Sequence, residues 1–98
     1  VPNRTVQIVA VDWLDAQRHM DWTDQADAEA LEPPLCTTVG FIVKRTRKKL
    51  VLAATIGHGD SDIGEIIVIP SGMVRSVEPL GEILVAVATP EAKTGSGT

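Results

Sequence analysis

The chain has 98 residues, 44% of them hydrophobic, and a formal net charge of −4. That is enough for one domain and too little for two, and a domain this small buries only about 60–65% of the surface its unfolded chain exposes. No apolar run approaches the roughly 20 residues of a membrane-crossing helix, so no helical span and no membrane partner are expected.

Val, Ile, Leu and Ala dominate the apolar residues, Tyr is absent, and Trp13, Trp22 and Phe41 are the only Phe, Trp or Tyr side chains. Side chains branched at Cβ fit a pleated surface, so the composition favours strands. The single cysteine, Cys36, cannot form an internal disulfide and reads as a small buried apolar residue in a reducing compartment. No basic-then-apolar leader opens the chain, so export is not expected.

In chain order, residues 4–13 read as a strand with both faces largely apolar: Val6, Ile8 and Ala10 alternate with Val9, Val11 and Trp13. Residues 23–31 suit one short helix, capped by Thr23 or Asp24 and ended by Pro33 and Pro34. Residues 37–44 and 50–56 read as a hairpin with Arg45, Thr46, Arg47 and Lys48 at its tip. Residues 57–64, rich in Gly and Asp, form a loop. Strands are expected at 65–69, 73–77 and 82–88, separated by turns at Pro70 to Gly72 and Glu78 to Gly81. The whole predicts a mainly β domain over residues 1–88, a five- to six-stranded Sm-like or SH3-like barrel with one short helix, followed by a flexible tail at 89–98.

The late strands carry a further implication. Ile66, Ile67, Val68 and Ile69, then Ile83, Leu84 and Val85, are apolar on both faces, whereas a solitary small barrel should show one polar face. Excess apolar surface marks an interface, and these seven residues are the expected contacts of a homo-oligomer.

From residue 39 to 80 the order of features resembles the Sm/LSm-like family, and in particular small Hfq-like proteins of bacteriophages and prophages. Gly40, Ile42 and Leu52 stand where the family's first motif has its strand glycine and apolar positions. Ile69, Pro70, Ser71, Gly72, Met73 and Val74 have the form of its second: a strand ending in Ile, a tight turn, and a new strand. The opening Trp13, Leu14, Asp15, Ala16 is similar to that of short phage proteins. The resemblance implies rings of protomers joined edge to edge by strands, acting in the host cytoplasm. It also implies RNA binding, but the family's turn aspartate falls on Arg45, its asparagine on Lys49 and its second-motif arginine on Pro70. Uridine recognition is therefore not expected to carry over.

Charge is distributed as a dipole. Asp12, Asp15, Asp21, Asp24, Asp27, Glu29 and Glu32 cluster in residues 12–32, opposed only by Arg18, whereas Lys44, Arg45, Arg47, Lys48 and Lys49 fall within six positions. These five cations repel one another unless an anion relieves them: the phosphate of RNA, DNA or a small nucleotide, or the acidic segment of the same or a neighbouring subunit; the remaining reading is a merely solvated loop. Net negative charge and few aromatics weigh against a general nucleic-acid binder. His58, Asp60 and Asp62 could ligate a cation, but Gly-Asp-Ser-Asp is also ordinary turn chemistry, and no metal or other cofactor is expected. Trp13 and Trp22 are expected to pin the acidic segment to the barrel. No triad, P-loop or dinucleotide fingerprint is present, so no enzyme is expected. The reading is a non-enzymatic, phage-type oligomeric binding module for a phosphate-bearing ligand. The alternative is a virion decoration or connector protein whose partners are other phage structural proteins.

Overall fold

The computed structural model describes residues 3–59 and 62–86 of the chain, and the tail expected at 89–98 lies outside the described residues. Five strands, β1 (Asn3–Leu14), β2 (Leu35–Arg45), β3 (Lys49–Ile56), β4 (Ile63–Pro70) and β5 (Val74–Ala86), form one antiparallel sheet in the order β4-β3-β2-β1-β5. A short helix, α1 (Gln25–Glu29), lies between β1 and β2, and a 3-10 turn (Ser71–Met73) joins β4 to β5.

The sheet is mainly what the composition demands, but it does not close into the expected barrel. β4 and β5 are its two edges and do not pair with each other. Among the described residues, the backbone ties between the edges lie at their ends. The 3-10 turn connects them at one end; at the other, the loop leading into β4 is tied to the end of β5. There Gly59 N–H donates to the Ala86 carbonyl at 3.0 Å, and Ala86 N–H donates to His58 Nδ1 at 3.3 Å. Between these ties both edges keep unpaired backbone groups.

Strand β5 runs through a segment whose sequence resembles a turn. Residues 78–81 were expected to turn and instead continue one strand of 13 residues. Ile8 pairs with Gly81 and Val9 with Pro79, so Leu80 is looped out as a bulge, with Gly81 at φ +155°. Proline is tolerated there because β5 is an edge strand, where a missing N–H need not break an inner ladder. The bulge absorbs the residues that in sequence resemble a turn.

Burial along β1 explains why both of its faces are apolar. Val9 and Val11 are buried with Leu50, Leu52 and Ile69 in the main core, against which Trp13, Ile42, Ile67, Val74 and Val77 pack. Val6, by contrast, is buried on the opposite face by register, as are Ala53 and Val85. The inward face therefore switches between Val6 and Val9, beside the Leu80 bulge in the neighbouring strand. A strongly coiled sheet presents opposite faces inward at its two ends, so strict alternation would have been the wrong pattern.

The apolar strands expected at an interface divide by position. Ile69 and Val85 are buried within the chain, and Ile67 and Ile83 are half-buried. Ile66, Val68 and Leu84 remain 51%, 56% and 63% exposed on the two edge strands. Ile69 and Val85 are thus core residues, unavailable for contact.

The segment between β1 and β2 leaves the sheet at Asp15, whose N–H donates to the Pro34 carbonyl at 3.0 Å. Helix α1 is shorter than expected, five residues, with Asp24 as its cap accepting from Ala26 N–H at 3.1 Å. None of its residues is buried, because a helix this short has no apolar stripe to offer the sheet. The two tryptophans accordingly part company. Trp13 packs on the core and its Nε1–H donates to Thr38 Oγ1 at 2.9 Å, whereas Trp22 is fully exposed and pins nothing. Cys36, expected to be buried, is half-buried opposite Trp13.

Among the described residues, one non-glycine residue has a left-handed backbone. Glu65 sits within β4 at φ +56°, a conformation costing an L residue about 1–2 kcal/mol. Its side chain makes only an exposed 3.4 Å contact with Thr55. Glu65→Gly should therefore raise stability by about 0.5 kcal/mol after the added chain entropy of glycine is subtracted. Urea denaturation reads this directly; a loss above about 1 kcal/mol would show that the side chain matters more than the strain.

Candidate anion-binding cleft

The basic hairpin is built by its turn. The Thr46 hydroxyl accepts from Lys48 N–H at 3.1 Å and Lys49 N–H at 3.2 Å, while Thr46 N–H donates to the Lys49 carbonyl at 2.8 Å. A Ser or Thr at this position closes a tight turn without glycine. The 3-10 turn docks onto this tip: Ser71 N–H donates to the Lys48 carbonyl at 2.9 Å, and the Ser71 hydroxyl donates to the Thr46 carbonyl at 3.4 Å. The start of β5 is thereby held beside the hairpin.

Between them lies an open cleft of about 490 Å³. Arg45 and Arg47 line it from the hairpin, Arg75 and Ser76 from β5, and Leu50, Val74 and Val77 supply its apolar part. Two bulges aim the arginines. In β2, Ile42 pairs with Leu52 but Lys44 with Val51, so Val43 is the extra residue. That shift brings Arg45, rather than Lys44, onto the face of its partner Leu50 at the mouth of the core. In β5, Asp12 pairs with Ser76 and Trp13 with Val74, leaving Arg75 as the bulged residue. Its Nη1 donates to the Gly72 carbonyl at 3.1 Å and the Val74 carbonyl at 3.3 Å, which anchors the guanidinium while its other N–H groups stay free of these bonds.

Of the five expected cations, Arg45 and Arg47 line the cleft, and Lys44, Lys48 and Lys49 do not. Among the described residues none of the five forms an ion pair, so the acidic segment of the same chain does not neutralise them. Asp12 accepts from the Thr37 hydroxyl at 2.6 Å and from the hydroxyl of the cleft residue Ser76 at 3.3 Å, and does not itself line the cleft. Three arginines lining one cleft, with no carboxylate among its described lining residues, suit a multiply charged oxyanion.

No family model, curated protein or solved structure matches this chain.

Arg75 was not singled out in the sequence. Its neighbours offer no charge run, and it lies 30 positions beyond Arg45. A signal was present in the Ser71 and Gly72 turn, which brings the next strand back to the hairpin. Of the residues weighed for a cation, Asp60 lies outside the described residues, and His58 already has Nδ1 engaged by Ala86 N–H.

Arg75 also borders a second open groove of about 350 Å³. Leu14, Leu31, Pro33 and Met73 give it an apolar surface, with Gln17, His19 and Glu32 at its polar positions. It lies between the end of β1, the return of the acidic segment and the 3-10 turn.

Proposed function

We propose that this chain is a non-enzymatic binding module that self-associates and holds a phosphate-bearing ligand in the arginine cleft. The observation that carries the reading is the convergence of Arg45, Arg47 and Arg75 on one cleft with no carboxylate among its described lining residues. Charge-assisted bonds from Arg to phosphate contribute about 1.5–3 kcal/mol each, and exposed guanidinium groups relieve their mutual repulsion by binding. Among the described residues the lining contains no His, Cys, Asp or Glu to act as a base or to activate the Thr46, Ser71 and Ser76 hydroxyls, which supports binding rather than acid–base or nucleophilic chemistry.

Self-association rests on the two open edges. β4 and β5 offer unpaired backbone groups flanked by exposed Ile66, Val68 and Leu84, and edge-to-edge strand addition covers both. This arrangement is in keeping with an Sm-like ring of phage type in the host cytoplasm. The ligand would be RNA or a small nucleotide signal, bound in a counter-defence role.

Native mass spectrometry of the full chain tests both parts, since it reports stoichiometry and any retained ligand together. The expected result is an oligomer carrying phosphate-containing mass, with Val68→Lys plus Leu84→Lys reverting to monomer. A stable monomer at micromolar concentration would remove the ring. A bare oligomer with no affinity for any phosphate compound would instead favour a second reading. In it the chain is a virion assembly component, a decoration or connector protein, and the exposed Met20 and Trp22 of the acidic segment meet other structural proteins.

A further inference from the structure

We infer that the arginine cleft and the apolar groove beside it are two halves of one site for a small nucleotide, with the phosphate in the first and the base in the second. The inference rests on the phosphate reading above and narrows its ligand from RNA or a small nucleotide to a small nucleotide whose base has its own subsite.

Arg75 is the shared wall. It lines both the 490 Å³ cleft and the 350 Å³ groove, so a ligand bridging them passes its guanidinium. Each volume falls within the range of small-molecule sites, about 300–1,000 Å³. The two halves differ in chemistry as the two ends of a nucleotide do. The first presents Arg45, Arg47 and Arg75 to an anion. The second presents Leu14, Leu31, Pro33 and Met73 to an uncharged planar ring, with Gln17 and Glu32 able to accept from its amino or ring N–H groups. A base needs a flat surface to stack on, and the groove has no aromatic residue. The Arg75 guanidinium supplies one: it is planar, stacks on rings, and is held in place by the Gly72 and Val74 carbonyls. Inorganic phosphate or a sugar phosphate would fill only the first half. A long RNA would gain little from a groove walled by the acidic segment, where Glu32 repels further phosphates.

The test is calorimetric titration of the full chain with inorganic phosphate, ribose 5-phosphate, and the adenine, guanine, cytosine and uracil nucleoside monophosphates. At least one nucleotide should bind about tenfold or more tightly than ribose 5-phosphate, the gain that burying a base supplies. Leu31→Gln and Met73→Gln, uncharged replacements at exposed positions outside the arginine cleft, should abolish that advantage and leave inorganic phosphate binding unchanged. Arg47→Glu should weaken all of the ligands. If ribose 5-phosphate and every nucleotide bind equally, the two-part site is wrong while the phosphate cleft stands. If none binds, inorganic phosphate included, the functional reading itself falls. Unchanged melting temperatures of the three variants confirm that the losses are local.

Discussion

Reversing Arg45 and Arg47 together to Glu is expected to weaken phosphate-ligand binding by about 100-fold or more. Each arginine contributes about 1.5–3 kcal/mol through charge-assisted bonds, and the new carboxylates repel the ligand as well. Folding should be untouched, because both side chains are exposed and make no ion pair among the described residues. The matched control is Lys44→Glu with Lys48→Glu. It changes the net charge by the same amount on the same hairpin but outside the cleft lining. Its effect should be a few-fold, and should vanish at high salt, since surface charges beyond about 10 Å are screened at 0.1 M. Equal losses in the two double variants would show that the hairpin attracts anions diffusely and that the cleft has no special role. Isothermal titration at two salt concentrations separates these outcomes.

Gly40→Val is expected to lower stability by about 3 kcal/mol and to compromise folding at 37 °C. Gly40 is buried in β2 opposite Val9, and a Cβ placed there would lie 3.0 Å from the Ala53 carbonyl oxygen and 3.4 Å from Leu52 Cβ. The oxygen belongs to backbone already paired in the sheet, so the strand cannot yield without disturbing the core around Leu52. For a domain of this size each kcal/mol moves the midpoint by about 4–8 °C, which makes the expected fall larger than 10 °C. Gly72→Ala serves as control, since nothing lies within 4 Å of its added Cβ. A melting scan showing Gly40→Val within a degree or two of the parent would mean that β2 and β3 can separate freely there.

Gly40 illustrates what local reading can reach. It stands out in sequence as a glycine inside an apolar strand, and such a glycine marks close approach of another backbone. The structure supplies the approaching group. The hairpin tip was equally legible, because its residues are contiguous and its turn is closed locally by Thr46. Arg75 was not, because its place depends on a bulge and on Ser71 docking to Lys48 and Thr46, contacts between residues more than 20 positions apart. The same non-locality misassigned Glu78 to Gly81: a proline and a glycine close together mean a turn in isolation, and a bulge only when a partner strand runs alongside. Trp22 failed for the opposite reason. An aromatic residue is buried only if its element has something to pack against, and the helix after it is too short to bring it back.

By itself the sequence determined the strand-rich class, the antiparallel hairpin, the capped short helix and the clustering of charge, because each follows from residues in contact along the chain. It also exposed an excess of apolar strand surface. Only the tertiary structure decided which of those residues face inward, since β1 changes its buried face between Val6 and Val9 as the sheet coils. It also decided that the sheet stays open at β4 and β5 and that three arginines from two distant segments share one cleft. Register, bulges and sheet coiling arise from pairings between distant strands, and no window along the chain contains both partners.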